Sequence, residues 1–264
     1  MLSNKFKVNY SVGAVANGVK TDTFTFFLLF FYSNIIGLNP GLAGLAIFIA
    51  LCIDAITDPL MGTISDRTNS SFGRRHPYMF ISFIPMSLGY ILLFAPRQEW
   101  DMSQSDLFVW MTIFTVITRI GMTLFDIPHR AFGGEVTKDY KERTILMSWR
   151  EMFAWVAGLS NAFLGYGVFF ASTPEFPQGQ LNPDVWFPFA LTGAAIMVFS
   201  VLYSSLSTKD EINSLSKWSG AISLKDIFNE LKIAIGNKSF LIFFFGNLFL
   251  SLAWGLSNSL TLFV

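Results

Sequence analysis

The chain has 264 residues and a formal net charge of zero, and 52% of its residues are hydrophobic while only 14% are charged. This composition is too apolar for a soluble domain of this length and indicates an integral membrane protein. The single cysteine excludes an intramolecular disulfide, and the two histidines lie too far apart in the sequence to give a zinc-binding spacing.

Seven apolar runs are each long enough to cross a bilayer as a helix, which needs about 20 residues. These runs are longer than the strands of a membrane barrel, so we predict an all-α, polytopic membrane protein. Most of the 30 phenylalanines are expected to face lipid. The runs are residues 10–33, 41–64, 77–96, 106–130, 145–171, 185–206 and 239–264.

The order of the runs predicts three regions. Residues 1–206 form an N-terminal six-helix transmembrane bundle, residues 207–237 a cytoplasmic linker, and residues 238–264 the first helix of a second bundle. The linker has apolar residues near helical spacing, which is equally consistent with a short interfacial helix and with a solvated linker. Because the last run ends without a charged or aromatic flank, we expect further helices beyond it. The apolar linker residues are Ile222, Ile227, Phe228, Leu231 and Ile235.

Lysine and arginine are concentrated on one side of this predicted topology. The N-terminal segment and alternate loops contain most of them, whereas Arg97 is the loop cation on the opposite side. Since short loops rich in lysine and arginine are retained in the cytoplasm, we predict a cytoplasmic N-terminus. The expected location is the plasma (inner) membrane, with multiple crossings.

Asp54 and Asp58 lie one helical turn apart within the second apolar run. A carboxylate near the bilayer centre costs roughly 2.5–3.5 kcal/mol, so a helix with two of them is expected to line a polar path. Both side chains project from one helix face, and neighbouring carboxylates in a low dielectric hold a proton or share a monovalent cation. We therefore predict a sodium or proton site at this pair and no other metal site. The alternative is that each carboxylate pairs with a cation such as Lys20 and only orients helices.

Several motifs resemble the glycoside-pentoside-hexuronide:cation symporters, the family of melibiose permease within the major facilitator superfamily. This resemblance implies twelve helices in two six-helix bundles, with substrate and cation sites between the bundles at mid-membrane. It also implies that Asp54 and Asp58 are cation-site carboxylates. The motifs are Phe-Tyr-Ser-Asn-Ile-Ile-Gly-Leu (31–38), Asp-Ala-Ile-Thr-Asp-Pro-Leu-Met-Gly (54–62), Ser-Asp-Arg (65–67), Phe-Gly-Arg-Arg-His-Pro (72–77), Asp-Ile-Pro (126–128) and Glu-Arg-Thr (142–144).

The resemblance implies substrate contacts in the fourth and fifth helices. Asp126 matches a substrate carboxylate of the family, and a carboxylate accepts hydrogen bonds from vicinal hydroxyls. Arg150 matches an arginine placed near the sugar. Arg130 stands where the melibiose transporters have a tryptophan, which allows an anionic substrate such as a hexuronide. An ion pair between Arg130 and Asp126 with only a structural role is the alternative, and Arg119 is a further cation within the fourth apolar run.

The first helix departs from the family pattern. Gly18 occupies the position at which the family has a sugar-binding aspartate. Asp22, one turn further along, and Lys20 are the nearest polar residues, and we assign both as candidate substrate-binding residues. The alternative is that Lys20 and Asp22 neutralise each other, or charges on other helices, without touching substrate.

Charged residues at the cytoplasmic end of the second and third helices are candidates for a gate. They would pair with carboxylates in the outward-facing state and separate when the cytoplasmic side opens. The alternative is that they only set the topology through positive charge. The gate candidates are Asp66, Arg67, Arg74 and Arg75, and their candidate partners are Glu135, Asp139 and Glu142.

The sequence therefore predicts a cation-coupled secondary transporter of sugars or glycosides that works by alternating access. It is not predicted to be an enzyme, and it requires no cofactor beyond a coupling ion, Na+ or H+. The expected partners are a sugar or glycoside, a monovalent cation and the lipid bilayer, with no nucleic acid, and the full-length protein is expected to act as a monomer. The alternatives are a transporter of lipid-like or anionic solutes and, less favoured, an intramembrane hydrolase with paired aspartates.

Overall fold

The computed structural model describes residues 2–209, 232, 233 and 236–261, without the side chains of residues 252 and 254–261. Every regular element in these ranges is a helix, as the sequence predicts. The chain divides into two compact units, Met1–Ser219 and Gly220–Val264. The boundaries predicted for the bundle, linker and second bundle remain predictions, and the helix proposed within the linker falls mostly outside the described residues.

In the first unit, the N-terminal segment is a succession of short helices with π-helical turns at Thr23–Phe27 and Phe31–Ile36. It ends at Gly37, whose φ of 84° is in the left-handed region that favours glycine. The helices of the unit are α1 (Asn4–Val12), α2 (Ala14–Asp22), α3 (Leu28–Phe30), α4 (Pro40–Arg67), α5 (His76–Ile81), α6 (Phe83–Leu93), α7 (Gln104–Glu135), α8 (Tyr140–Leu164) and α9 (Trp186–Ser207).

Polar side chains fix where the long helices begin. The Asn39 side chain accepts a hydrogen bond from the Gly41 N–H (2.8 Å) before α4. Ser103 and Asp106 form a reciprocal capping box at the start of α7. The Asp139 side chain accepts from the Lys141 N–H (2.8 Å) at the start of α8. These caps satisfy amide groups that the first helical turn leaves without partners.

Five helical segments in the described residues are long and apolar enough to cross a membrane, and each overlaps one of the seven predicted runs. The first predicted run, residues 10–33, is helical but is divided by π-helical turns. The five segments are Pro40–Arg67, His76–Leu93, Gln104–Glu135, Tyr140–Phe169 and Pro183–Ser207.

Aromatic rings fill much of the core of the first unit. Trp186 is 1% exposed, and its ring packs on Phe170 at 4.6 Å and on Phe31 at 5.3 Å between centroids. Phe27 and Phe189 lie against the same cluster. The expectation that most phenylalanines face lipid was therefore wrong for these residues, because the first and last helices of the unit bury them against each other.

The second unit is described only from its helix α10 (Lys238–Thr261), which covers most of the seventh predicted run. The Asn237 side chain accepts hydrogen bonds from the Ser239 N–H (2.9 Å) and the Phe240 N–H (3.3 Å) and so caps the start of this helix.

Helix α7 packs very closely on α6 at Gly121. A Cβ atom added there would lie 2.8 Å from Met86 Cβ and still closer to the Met86 backbone, a separation that real Cβ atoms do not show. Glycine is therefore required at this contact for steric reasons.

We predict that Gly121→Ala destabilises the protein by roughly 1–3 kcal/mol, because the added methyl group overpacks the α6–α7 contact. Thermal unfolding in detergent measures the effect. Gly134→Ala on the same helix is the matched control, since a Cβ there meets no atom within 4 Å. Equal melting temperatures for the two variants would contradict the close contact.

Candidate functional site

The two aspartates of α4 contact two residues of α7. Arg119 Nε donates to Asp54 Oδ2 at 2.6 Å, and Arg119 Nη2 lies 2.5 Å from the same oxygen in an ion pair. The Thr123 hydroxyl donates to Asp58 Oδ1 at 2.6 Å. Both contacts join residues that are 65 positions apart in the sequence. Helices α4 and α7 therefore run parallel here, and successive turns of α4 lie beside successive turns of α7. The result is a row of two acidic groups facing a guanidinium and a hydroxyl.

Among the described residues, only one of the two carboxylates has a cation bonded to it. Asp54 is paired with Arg119, whereas Asp58 accepts from a neutral hydroxyl. The second oxygen of Asp54 is buried and has no hydrogen-bond partner among the described residues. The ion pair that the sequence left open as an alternative thus exists at Asp54, with Arg119 as the cation and not Lys20.

Lys20 lies close enough to this row for its charge to act on both aspartates and on Asp126. Within the described residues, however, its ammonium group forms no ion pair or hydrogen bond. The structure therefore brings Lys20 near the acidic pair and Asp126, and its contact with substrate remains a prediction.

A second charged cluster lies where α7 faces the middle of α8. Arg130 Nε donates to Asp126 Oδ2 at 2.7 Å, and Arg150 Nη2 donates to Asp126 Oδ1. Arg150 Nη1 also donates to Glu151 Oε1 at 2.6 Å, and Arg130 lies 3.7 Å from the same oxygen. Two arginines and two carboxylates thus alternate in a closed ring in which every charge is compensated.

The exposure of this ring is uneven. The Arg150 side chain is fully buried, whereas Arg130 and Glu151 are 48% and 50% exposed. The ring therefore has a fixed buried corner and an open edge. Sequence reasoning assigned three of its members but missed Glu151. The sequence could have indicated Glu151 through its position next to Arg150, inside an otherwise apolar helix.

Asp22 is separate from both clusters in its contacts. Asn161 Nδ2 donates to Asp22 Oδ2 at 2.8 Å and to Thr23 Oγ1 at 3.2 Å, and the Thr23 and Tyr90 hydroxyls lie 2.7 Å apart. The described residues place no cation in an ion pair with Asp22. The mutual neutralisation with Lys20 that was left open is therefore absent from the described contacts.

The structure explains why the first helix lacks the family's sugar-binding aspartate. A Cβ atom added at Gly18 would lie 3.0 Å from Ala157 Cβ and would overlap the Ala154 backbone. Gly18 is thus a contact between α2 and α8, and it has no room for any side chain.

The gate candidates lie together at the end of α4 and α7. Arg75 is 4% exposed and bonds both Asp66 Oδ1 (2.5 Å) and Glu135 Oε2 (2.8 Å), while Arg74 lies 2.5 Å from Glu135 Oε2. Arg67 is the last residue of α4.

Two of the three expected gate partners have other roles. Asp139 caps α8, and Glu142 lies 3.5 Å from the Lys7 ammonium group. A capping carboxylate is already engaged by backbone amides, and Glu142 points toward α1. Of the three expected partners, Glu135 is therefore the one that the described contacts pair with Arg74 and Arg75.

The family model described as MFS/sugar transport protein matches residues 9–264. The inner membrane symporter YicJ of Escherichia coli (strain K12) is 30% identical over 164 residues, which are 62% of this chain and 35% of YicJ. The putative glycoside/cation symporter YagG of the same strain is 28% identical over 241 residues, 91% of this chain and 50% of YagG. The sodium-dependent lysophosphatidylcholine symporter 1-A of Danio rerio is 29% identical over 174 residues, 64% of this chain and 31% of that protein.

This chain spans between about a third and a half of the length of these relatives. The family match nevertheless covers nearly all of this chain, and the charged clusters lie in helices that are otherwise apolar. The chain belongs to the MFS/sugar transport protein family, within the glycoside-pentoside-hexuronide:cation symporters of the major facilitator superfamily, whose members are transporters and not enzymes.

Proposed function

We propose that the protein containing this chain is a cation-coupled symporter of sugars or glycosides that works by alternating access. One observation carries the proposal. Arg119, Thr123, Asp126 and Arg130 follow each other on α7 at intervals of four, three and four residues, so they form one stripe on one helix face. The acidic pair of α4 contacts the first half of the stripe, and the α8 ring contacts the second half.

The coupling ion, Na+ or H+, would bind at the Asp54–Asp58 pair. A monovalent cation that crosses a potential of about 100 mV releases roughly 2.3 kcal/mol. This free energy supports more than about tenfold accumulation of a neutral solute, because each tenfold step needs about 1.4 kcal/mol. The ion site and the ring share α7, so occupation of one site changes the position of groups in the other.

The substrate would bind at the open edge of the α7–α8 ring. Asp126 and Arg150 provide a hydrogen-bond acceptor and donor for sugar hydroxyls, and Arg130 lies at the exposed edge. The name of YagG, a putative glycoside/cation symporter, supports a glycoside. Lys20 and Asp22 stay in the proposed substrate region as flanking groups.

Two other substrate classes have specific support. The two arginines of the ring fit an anionic sugar such as a hexuronide, provided that it replaces Glu151 as their partner. The lysophosphatidylcholine symporter among the relatives supports a lipid-like substrate. An intramembrane hydrolase has no such support, because the close aspartates come from one helix and the family consists of transporters.

The cluster of Arg74 and Arg75 with Asp66 and Glu135 is proposed as the cytoplasmic gate. Its described contacts join helix ends within a single unit, so they also brace the end of α4 against α7. We propose a cytoplasmic N-terminus on the distribution of cations along the sequence. The name of YicJ, an inner membrane symporter, supports insertion in the plasma (inner) membrane, and we also propose that the full-length protein acts as a monomer.

We predict that Asp58→Asn abolishes gradient-driven accumulation of substrate, a loss of at least about tenfold, because the free energy of the ion is no longer coupled to uptake. The measurement is uptake of a labelled glycoside panel into vesicles that contain the complete protein, with an imposed sodium or proton gradient. Asp184→Asn, an exposed aspartate in the loop before α9, is the matched control.

Two outcomes would contradict the proposal. Full accumulation and unchanged cation dependence in Asp58→Asn would remove the carboxylate pair from coupling. Uptake of a labelled lysophospholipid, with no uptake of any glycoside, would replace the sugar by a lipid substrate.

We predict that Glu151→Gln raises the apparent affinity for a glucuronide by roughly fivefold relative to the uncharged glucoside, because an ion pair with an exposed partner is worth about 1 kcal/mol or less. The removed carboxylate frees Arg150 Nη1 and the edge of Arg130 for the anion. Competition against uptake of a labelled glycoside measures both affinities, and the exposed Glu99→Gln is the control. An unchanged ratio of affinities would place the substrate away from the ring.

A further inference from the structure

Arg119 is held on Asp54 in a way that resists displacement. Arg119 Nε donates to Asp54 Oδ2 at 2.6 Å, and the Nη2 atom lies 2.5 Å from the same carboxylate oxygen. Its guanidinium carbon also lies 6.0 Å from the centre of the Phe24 ring, at the outer range of a cation–π contact. The side chains of Arg119 and Asp54 are 14% and 18% exposed. An arginine remains protonated at any physiological pH, so Arg119 keeps a positive charge beside Asp54.

The contact leaves the two carboxylates of α4 in different states. Asp54 has its countercharge in direct contact, whereas Asp58 has only the Thr123 hydroxyl. Lys20 of α2 adds positive charge to the same region, but it is bonded to neither carboxylate within the described residues. Among the described residues, Asp54 therefore has a bonded cation and Asp58 has none.

We propose that Arg119 is a resident counter-ion for Asp54, and that it confines the coupling ion to Asp58 and Thr123. Asp54 then stays paired with Arg119 through the transport cycle and is not a ligand of the ion. The site then takes one monovalent cation per cycle, because Asp58 is the one carboxylate of the pair without a bonded cation among the described residues. This inference rests on the proposed symport function and specifies which carboxylate performs it.

The arrangement also predicts how substitutions combine. Removing either member of a buried ion pair leaves the other charge without compensation, which is far more costly than removing both. If Asp54 serves only to pair with Arg119, the two neutralising substitutions rescue each other. If Asp54 is a ligand of the coupling ion, replacing Arg119 as well does not restore the ion-driven uptake that is lost when Asp54 is replaced.

The test is a double-mutant cycle on ion-driven glycoside uptake in vesicles that contain the complete protein. We expect Asp54→Asn and Arg119→Leu each to lower uptake by at least about tenfold. We expect the combined variant to recover to within about threefold of the wild type, with an unchanged half-saturating ion concentration. Arg97→Leu, at an exposed position, controls for the substitution itself. Size-exclusion profiles and melting temperatures in detergent separate loss of folding from loss of coupling.

Two results would overturn the inference while leaving symport intact. A combined variant as inactive as folded Asp54→Asn would make Asp54 an ion ligand. Arg119→Leu with normal uptake and a lower half-saturating ion concentration would make Arg119 a competitor of the ion. The proposed function fails in a different way, since it requires Asp58→Asn to lose ion-driven uptake whether or not Arg119 and Asp54 are replaced.

Discussion

The compensation of charge inside apolar helices is the constraint on which this structure depends. An ionised side chain in the hydrocarbon region costs several kcal/mol unless another charge or a strong hydrogen bond is supplied to it. Helix α7 supplies partners on both sides, with Arg119 and Thr123 toward α4 and Asp126 toward Arg150 of α8. The parallel register of α4 and α7 is therefore an electrostatic requirement as well as a packing result.

Small residues allow these partners to meet. Gly121 lets α7 lie against the backbone of α6, and Gly18 lets α2 lie against α8. In a membrane the hydrophobic effect does not drive helices together, and small residues at helix contacts commonly promote their association by allowing close packing. Because α7 is held from the α6 side, its polar stripe faces α4 and α8 at hydrogen-bond distance. The same close packing excludes an aspartate from the Gly18 position, so the departure from the family pattern has a steric cause.

The sequence predicted the helices and most of the charged residues, because a charge within an apolar run is conspicuous without any structure. It did not predict the pairing, since the choice of Arg119 over Lys20 for Asp54 depends on the register between two helices 65 residues apart. Glu151, in the middle of α8, was missed because its contact with Arg130 depends on how α7 packs against α8. Asp139 and Glu142 were expected as gate partners but have other contacts. Asp139 caps α8 and Glu142 contacts Lys7 of α1, and neither contact can be deduced from the positions of charged residues in the sequence.

A proline lies beside each cluster and gives the two sites a common mechanical property. Pro59 directly follows Asp58 in α4, and Pro128 follows Asp126 by two residues in α7. Each proline removes one backbone hydrogen bond from its helix, so both helices can bend at the level of their acidic side chains. Thr123 and Asp126 are about 4.5 Å apart along the helix axis. Under the proposed function, a small bend of α7 driven by ion binding at Asp58 would therefore displace the substrate carboxylate in the same step, which couples the sites without a longer pathway.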